Sequence, residues 1–445
     1  MKTIKIVRIE VPHPWLNNKF DGERNRLFIS NFIIEASRLE LPVTFVTVPW
    51  GAEEAPRYPR TGELVCSYHS HIVTDHTQWK TETSQIRLKE APIPPLYSID
   101  THGYSGWSSI LYEPNLRNLL NSYEFEDFKS TIDFYRDQIL SGKSKYNQPP
   151  RLNALLENKK PYILFPLQVQ NDSVSSFAIV NTLSLIKRAC DIAKLKKIRI
   201  IFKPHPFDRG SGVKELLNEI AKSNEFIEIV NSDITELINN SIAVVSVNSG
   251  SSFESLVLNK PTWNSGKSEW WMAVNQINSL QDLDKVINLD QPRPSIFQQK
   301  VIGFLLKYYW VRNDDNLNIN RKINECLSRI EKLNNLYLES SLIPDPDDLL
   351  YHKMSSEILK IYATNQELKR QIDLLIKSSD IKSSQLTLMK ERFFQEEGKL
   401  KILLTSNEEL KKEVYGLRQE IFILEKQIKN RIWDILKKIK RKIII

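Results

Sequence analysis

Cysteine is scarce: Cys66, Cys190 and Cys326 are the only three in 445 residues, and no two stand at CxxC spacing. That argues against a zinc ribbon or a disulfide framework and suits a reducing compartment. No apolar run approaches the roughly 20 residues that a membrane-spanning helix requires. The opening Met1–Ile9 alternates like a strand and lacks the apolar core and cleavage site of a signal peptide. His69, His71, Asp75 and His76 cluster in sequence, but no H-E-x-x-H motif or cysteine partner accompanies them. The group reads as a polar loop near a cleft, with no metal site expected. These absences together point to a cytoplasmic protein that reaches a membrane only by docking on it.

What the chain does have is the composition of a soluble protein with helical extensions: 41% apolar, 26% charged, net charge +8. Its length allows two or three folded units. The expected architecture is α/β: two Rossmann-like lobes, residues 1–150 and 151–315, then a helical linker (316–351), a coiled coil (352–430) and a basic tail (431–445). In the first lobe, strand Ile4–Ile9, helix Arg26–Leu39 and strand Val43–Val48 open a parallel sheet. Trp50–Pro95 is dense in turn formers and resists assignment. The following Tyr97–Ser109 joins Asp100 and His102 to two glycines and to Tyr104 and Trp107, a mix that suits close backbone approach and sugar stacking. Asn118–Leu140 reads as one helix, and Ser141–Pro150 as a linker.

From Tyr162 strands and helices alternate with crossovers long enough for parallel pairing. Two strand ends stand out. Ile198–Phe202 runs into Lys203-Pro-His205-Pro206, where the prolines fix the backbone around an ammonium and an imidazole. Ala243–Val247 runs into Asn248-Ser249-Gly-Ser251-Ser252 and then a helix carrying Glu254. Backbone N–H groups and hydroxyls at a helix start form an anion site, and Glu254 is placed to accept from ribose hydroxyls. N-capping would explain the serines equally well, and a structural turn His205.

The C-terminal third has a different period. With Ile358 at position a, Asn365, Asn407, Val414, Ile421 and Ile428 fall at a and Leu410, Leu417 and Leu424 at d, one phase kept for about ten heptads. β-Branched a residues, leucine d residues and asparagines at a predict a parallel homodimer, weakened where Ser379 and Lys382 meet the seam. In the last segment, 429–445, Lys and Arg alternate with Ile, Leu and Trp433, the pattern of an amphipathic anchor on an anionic membrane surface. A solvated end or a tail touching nucleic acid are the other readings; no nucleic-acid partner is expected.

Phe165-Pro-Leu-Gln168 with Asp172-Ser173, then Lys203-Pro-His-Pro206, then Asn248-Ser-x-x-x-Phe-Glu254-x-Leu256, resembles the capsule polysaccharide biosynthesis family. Asp100-x-x-Gly103-Tyr-Ser-Gly106-Trp107-Ser is similar to a motif of that family's first lobe. The best-understood members are bacterial β-Kdo transferases of GT-B fold that use CMP-Kdo. The resemblance spans roughly residues 95–310 and departs at Ser252, where the family often has glycine. It implies a glycosyltransferase moving Kdo or a related 2-keto sugar acid from a CMP-sugar to a bacterial surface polysaccharide or its glycolipid. It implies donor contacts from Gln168, Asp172, Ser173, Lys203, His205, Asn248, Ser249, Ser251, Ser252 and Glu254, and acceptor contacts from Tyr104 and Trp107. Asp100 is then the expected nucleophile or base, with His102 as the second candidate base. No cofactor or metal is expected, because no Asp-x-Asp stands where the donor would sit. The competing readings are a CDP-glycerol-type polyol-phosphate transferase and a non-enzymatic scaffold of an assembly or export complex. The enzyme would work at the inner face of the cytoplasmic membrane.

Overall fold

A computed structural model describes residues 4–13, 21–48, 62–71, 84–143, 145, 148–150, 161–169, 172–206, 213–288 and 290–338. The expected coiled coil, the basic tail, Asp75 and His76 lie outside these residues. Among the described residues no helix is long and apolar enough to cross a membrane, and no three His, Cys, Asp or Glu side chains group as a metal site.

The first sheet is built from β1 (Ile6–Pro12), β2 (Val43–Val48), β3 (Glu63–Tyr68), β4 (Gln85–Glu90), β5 (Leu96–Asp100) and β12 (Trp310–Arg312). Its order is β12-β5-β4-β3-β1-β2. β1 to β4 are parallel, whereas β5 runs antiparallel to β4 and β12 antiparallel to β5. The lobe is therefore mixed rather than wholly parallel. Two of its strands, β3 and β4, lie inside the stretch that the sequence pattern left unassigned.

The second sheet holds β6 (Tyr162–Pro166), β7 (Arg199–Lys203), β8 (Ile227–Ile229), β9 (Ala243–Ser246), β10 (Thr262–Asn264) and β11 (Asn275–Gln276), in the order β11-β10-β9-β6-β7-β8. Every pairing is parallel. Counted from β6, the order is 3-2-1-4-5-6, the doubly wound arrangement. Its switch point lies between β6 and β9, outside whose carboxyl ends such folds bind ligands. The helices between the strands start where their sequences dictate. Asn181 caps α4 (Thr182–Lys196) by accepting from Ser184 N at 3.1 Å. Asp233 caps α6 (Ile234–Asn240) by accepting from Glu236 N at 2.9 Å.

The division of the chain differs from the expected one at three places. The helix expected over 118–140 is two: α2 (Leu116–Asn121) and α3 (Glu126–Leu140). Both pack mainly in the core that joins the lobes, where Leu120, Phe128 and Ile132 meet Phe253, Trp270, Ile302 and Trp310. Residues 310–338 are not a tail of the second lobe or a free linker. β12 closes the first sheet, and α10 (Asn316–Leu338) lays Ile319, Ile323, Cys326 and Ile330 against Phe28 and Phe32 of α1 (Asp21–Ser37). The chain thus crosses twice between lobes, and the first lobe is completed by its C-terminal segment. The three cysteines are all buried and free; burial pushes the Cys190 thiol up to about 12 and makes it unreactive.

Candidate active site between the lobes

The second lobe contributes the ends of three adjacent strands. Lys203 closes β7, pairs with Pro166 of β6 in the sheet register, and is 4% exposed. Among the described residues its ammonium has no hydrogen-bond partner. Burial pushes its pKa down, an effect the nearby Asp233 and Glu254 carboxylates only partly offset. At the end of β6, Gln168 Oε1 accepts from Asn248 N at 3.3 Å, while Gln168 Nε2 is buried and unpartnered. Asn248, just past β9, donates its amide to Val174 O (2.9 Å) and Lys267 O (3.0 Å), leaving its Oδ1 unpartnered. Buried polar atoms are ordinarily satisfied. Three unsatisfied ones at neighbouring strand ends, at the switch point, mark a place that a polar, anionic ligand would complete.

α7 (Gly250–Val257) begins beside them. Ser249 caps it by accepting from Ser251 N at 3.4 Å, and both serines remain partly exposed at the helix start. His205 stands two residues beyond β7, half-buried. Asp172 and Ser173 open the short helical turn Ser173–Phe177. The structure thus brings Gln168, Ser173, Lys203, Asn248, Ser249, Ser251 and Glu254 to one end of the lobe.

Ser252 is a correction. It is 0% exposed and its hydroxyl pairs with Ser246 Oγ at 2.5 Å, so it ties the helix to β9 rather than facing a phosphate. The departure from glycine at this position therefore alters packing, not the anion site.

The first lobe contributes the loop after β5, and here too the structure reassigns roles. Asp100 is 2% exposed. Its Oδ1 accepts from the backbone N–H of His102 (2.7 Å), Gly103 (3.1 Å) and Ser109 (3.2 Å). Its Oδ2 accepts from Ser109 Oγ (2.6 Å) and Tyr309 OH (2.8 Å). Burial alone would raise its pKa. The charge of His102 and the hydrogen bonds from Ser109, His102 and Tyr309 outweigh that and hold the carboxyl below the usual range. A carboxylate with both oxygens so committed is a poor nucleophile; Asp100 organises the loop. His102, beside it, is half-buried with Nδ1 2.8 Å from Thr101 Oγ1.

Tyr104 and Trp107 do not present open faces to a sugar. Tyr104 is 3% exposed, and its hydroxyl reaches Ser173 Oγ of the other lobe at 3.1 Å. Trp107 stacks on His71 (3.6 Å between centroids, 6° apart) and takes Phe177 edge-on at 4.4 Å. The two glycines serve this same contact. A Cβ on Gly106 would lie 2.3 Å from the Phe177 ring, and one on Gly103, at φ +154°, 2.9 Å from Trp107 Cβ. The close backbone approach expected for a ligand is made by Gly106 to the opposite lobe and by Gly103 to Trp107 and His71 of its own lobe.

Lys89 and Glu269 gave no signal in the sequence, and His69 stood out only as part of a polar loop near a cleft. Lys89, on β4, lies 4.8 Å from the Tyr104 ring centroid. His69 follows β3, 5.1 Å from Tyr104; burial, then the charge of Lys89, hold it well below the usual histidine range. Glu269 comes from the second lobe, and burial raises its carboxyl to about 7. Nothing in the local sequence distinguishes these residues, since their partners come from distant segments. Behind the Asp100 loop, a cavity of about 590 Å³ separates it from α10, with Tyr308, Tyr309, Arg321 and Arg329 in its wall.

Residues 112–285 match the family described as capsule polysaccharide biosynthesis protein. That family is the one the strand-end motifs resemble. No curated protein sequence matches it. Among solved structures, the β-Kdo 2,4 transferase KpsC of Thermosulfurimonas dismutans is 14% identical, with a TM-score of 0.42 over 74% of this chain and 98% of that one. The β-Kdo 2,7 transferase KpsC of the same organism is 16% identical, with a TM-score of 0.37 over 74% and 99%. The wall teichoic acid polymerase TagF is 15% identical, with a TM-score of 0.26 over 74% and 89%.

Proposed function

We propose that the protein is a glycosyltransferase of capsule or related surface-polysaccharide synthesis, using a CMP-activated 2-keto sugar acid such as Kdo. The observation that carries this reading is the buried, unpartnered Lys203 ammonium, set with Gln168 and Asn248 at the switch point of a doubly wound lobe. The family match over the same residues supports it.

The cytidylate phosphate lies at the start of α7, where the Ser251 N–H and the Ser249 hydroxyl donate to its oxygens. Lys203 and His205 add positive charge. As the acceptor oxygen bonds to the anomeric carbon, the bond from that carbon to the phosphate oxygen breaks and CMP departs as an anion. Charge placed in advance around that phosphate stabilises the transition state. His102 takes the proton of the acceptor hydroxyl, and Asp100 holds the His102 loop in place. Glu254 offsets the Lys203 charge, and its ribose contact remains part of the reading. No metal ion or cofactor is required by this scheme.

Incubation with CMP-Kdo, CMP-sialic acid and CDP-glycerol, followed by analysis of products, tests the donor. CMP release with transfer from CMP-Kdo is expected. Turnover of CDP-glycerol alone would replace this reading with polyol-phosphate transfer, and no turnover of any donor would favour a scaffold.

The C-terminal 352–445 segment is proposed to dimerise the enzyme in parallel and to hold it on the anionic inner face of the cytoplasmic membrane. Its deletion is expected to yield a monomer by light scattering that no longer sediments with anionic liposomes. An unchanged dimer or unchanged liposome binding would remove the corresponding role.

A further inference from the structure

We propose that the cavity of about 590 Å³ behind the Asp100 loop is a second carbohydrate site, suited to a neutral pyranose unit rather than to a nucleotide. Its wall is drawn from residues 99–123 and 304–329, so it stands apart from the strand ends that carry Lys203, His205 and Asn248. Its volume falls within the roughly 300–1,000 Å³ of small-molecule sites.

The lining is of two kinds. Tyr123, Phe304 and Tyr308 are half-buried aromatic residues. The Tyr123 and Tyr308 ring centroids lie 5.6 Å apart with planes at 31°, and Phe304 lies 5.8 Å from Tyr308. Rings braced in this way offer apolar faces to the C–H side of a sugar. The other kind is charged, and its charges are already engaged with one another. Arg329 donates to Ser109 Oγ at 2.7 Å and to Glu113 Oε2 at 3.1 Å. Lys322 donates to Glu325 Oε2 at 2.9 Å, and Arg321 to the other oxygen of that carboxylate. Ser109 in turn donates to Asp100 Oδ2 at 2.6 Å, which joins the cavity wall to the loop that faces the donor lobe. Arg321, Lys322 and Arg329 thus balance Asp100, Glu113 and Glu325.

That balance selects the ligand. An anion finds no spare positive charge. An acyl chain would take water from the charged pairs and return no hydrogen bonds, which costs free energy. A hydroxyl both donates and accepts. A sugar therefore donates to the remaining lone pairs of Glu113 and Glu325 and accepts from the guanidinium groups, while its apolar face rests on the tyrosines. That this sugar belongs to the growing polysaccharide rests on the glycosyl-transfer reading; the site itself does not.

Saturation-transfer NMR on the full chain tests the site with methyl glycosides of galactose, glucose, N-acetylgalactosamine and N-acetylglucosamine. Transfer to the ring protons of at least one is expected, with a dissociation constant on the order of 1 mM. Saturating CMP should leave it unchanged. Tyr308→Leu keeps apolar bulk but removes the ring face, and should weaken binding roughly fivefold or more. Leu119→Trp, at a wall position 42% exposed, should obstruct the cavity without disturbing the core. No transfer to any glycoside, wild-type binding in both variants, or displacement by CMP overturns the proposal. Displacement by octanol would make the cavity an acyl site and overturn it equally. Glycoside binding in a protein that turns over no donor would sink the transfer reading and leave this site standing, and turnover without glycoside binding would do the reverse.

Discussion

Asp100→Ala is expected to lower the free energy of unfolding by about 3–5 kcal/mol, read from urea denaturation. The substitution leaves the N–H groups of His102, Gly103 and Ser109 and the hydroxyls of Ser109 and Tyr309 without their acceptor. A buried group stranded in this way costs about 1–3 kcal/mol, and several share the loss. Asp100→Asn keeps one acceptor oxygen, and the hydroxyls can turn to donate elsewhere, so about 1–2 kcal/mol is expected. The wild-type contribution depends on pH in a definite direction. The folded carboxyl titrates below its unfolded value, so the stabilisation is complete above the unfolded pKa of about 4 and is lost as pH falls through the folded one. A stable Asp100→Asn protein that binds nucleotide and yet loses transfer by a factor of about a thousand would return Asp100 to the role of nucleophile.

The second large effect concerns Lys203. Lys203→Met is expected to weaken CMP binding by about 10- to 150-fold, the loss of one charge-assisted hydrogen bond of about 1.5–3 kcal/mol. The unliganded protein should lose no stability. An ammonium buried without a hydrogen-bond partner costs free energy, and methionine fills nearly the same volume without that cost. For the wild type, the folded pKa of Lys203 is depressed. The unfolded chain therefore binds more protons over the alkaline range, and apo stability gains as pH rises towards the unfolded pKa. A bound phosphate reverses this preference, so CMP affinity should fall over the same range. A clear loss of stability in Lys203→Met would show that the ammonium is held by its carboxylate neighbours for the fold, not reserved for a ligand.

The second lobe was legible in the sequence because its strands are continuous β-branched runs separated by capped helices. The helix Val213–Ser223 and the Asp233 cap of α6 belong to this alternation. The first lobe was less so, for a physical reason. β4 carries Gln85, Arg87 and Lys89, and β5 carries Ser98 and Asp100, yet both strands are largely buried. Arg87 donates through Nη1 to Thr101 O, and Asp100 is satisfied by the loop it organises. Partners of this kind are set by tertiary structure, so polar content that reads as a loop becomes core. The return of residues 310–338 to the first lobe was hidden likewise, because an apolar face on α10 does not say which core it covers.

The candidate site divides the same way. Lys203, His205, Asn248, Ser249 and Ser251 stand at strand-turn-helix junctions, where backbone geometry fixes the local chemistry. Asp100, Tyr104 and Trp107 were found as a motif, but their use depended on what lay across the cleft: Tyr309, Ser173 and Phe177. Glu269 had no local signal, being a lone acid between Ser268 and Trp270 that only the fold shows to be buried.

The most direct test of the nucleotide site is a calorimetric titration of the full chain with CMP, beside Lys203→Met. One binding event per chain is expected in the wild type, weakened at least tenfold in the variant. No binding in the wild type, or equal affinity in both, would contradict it.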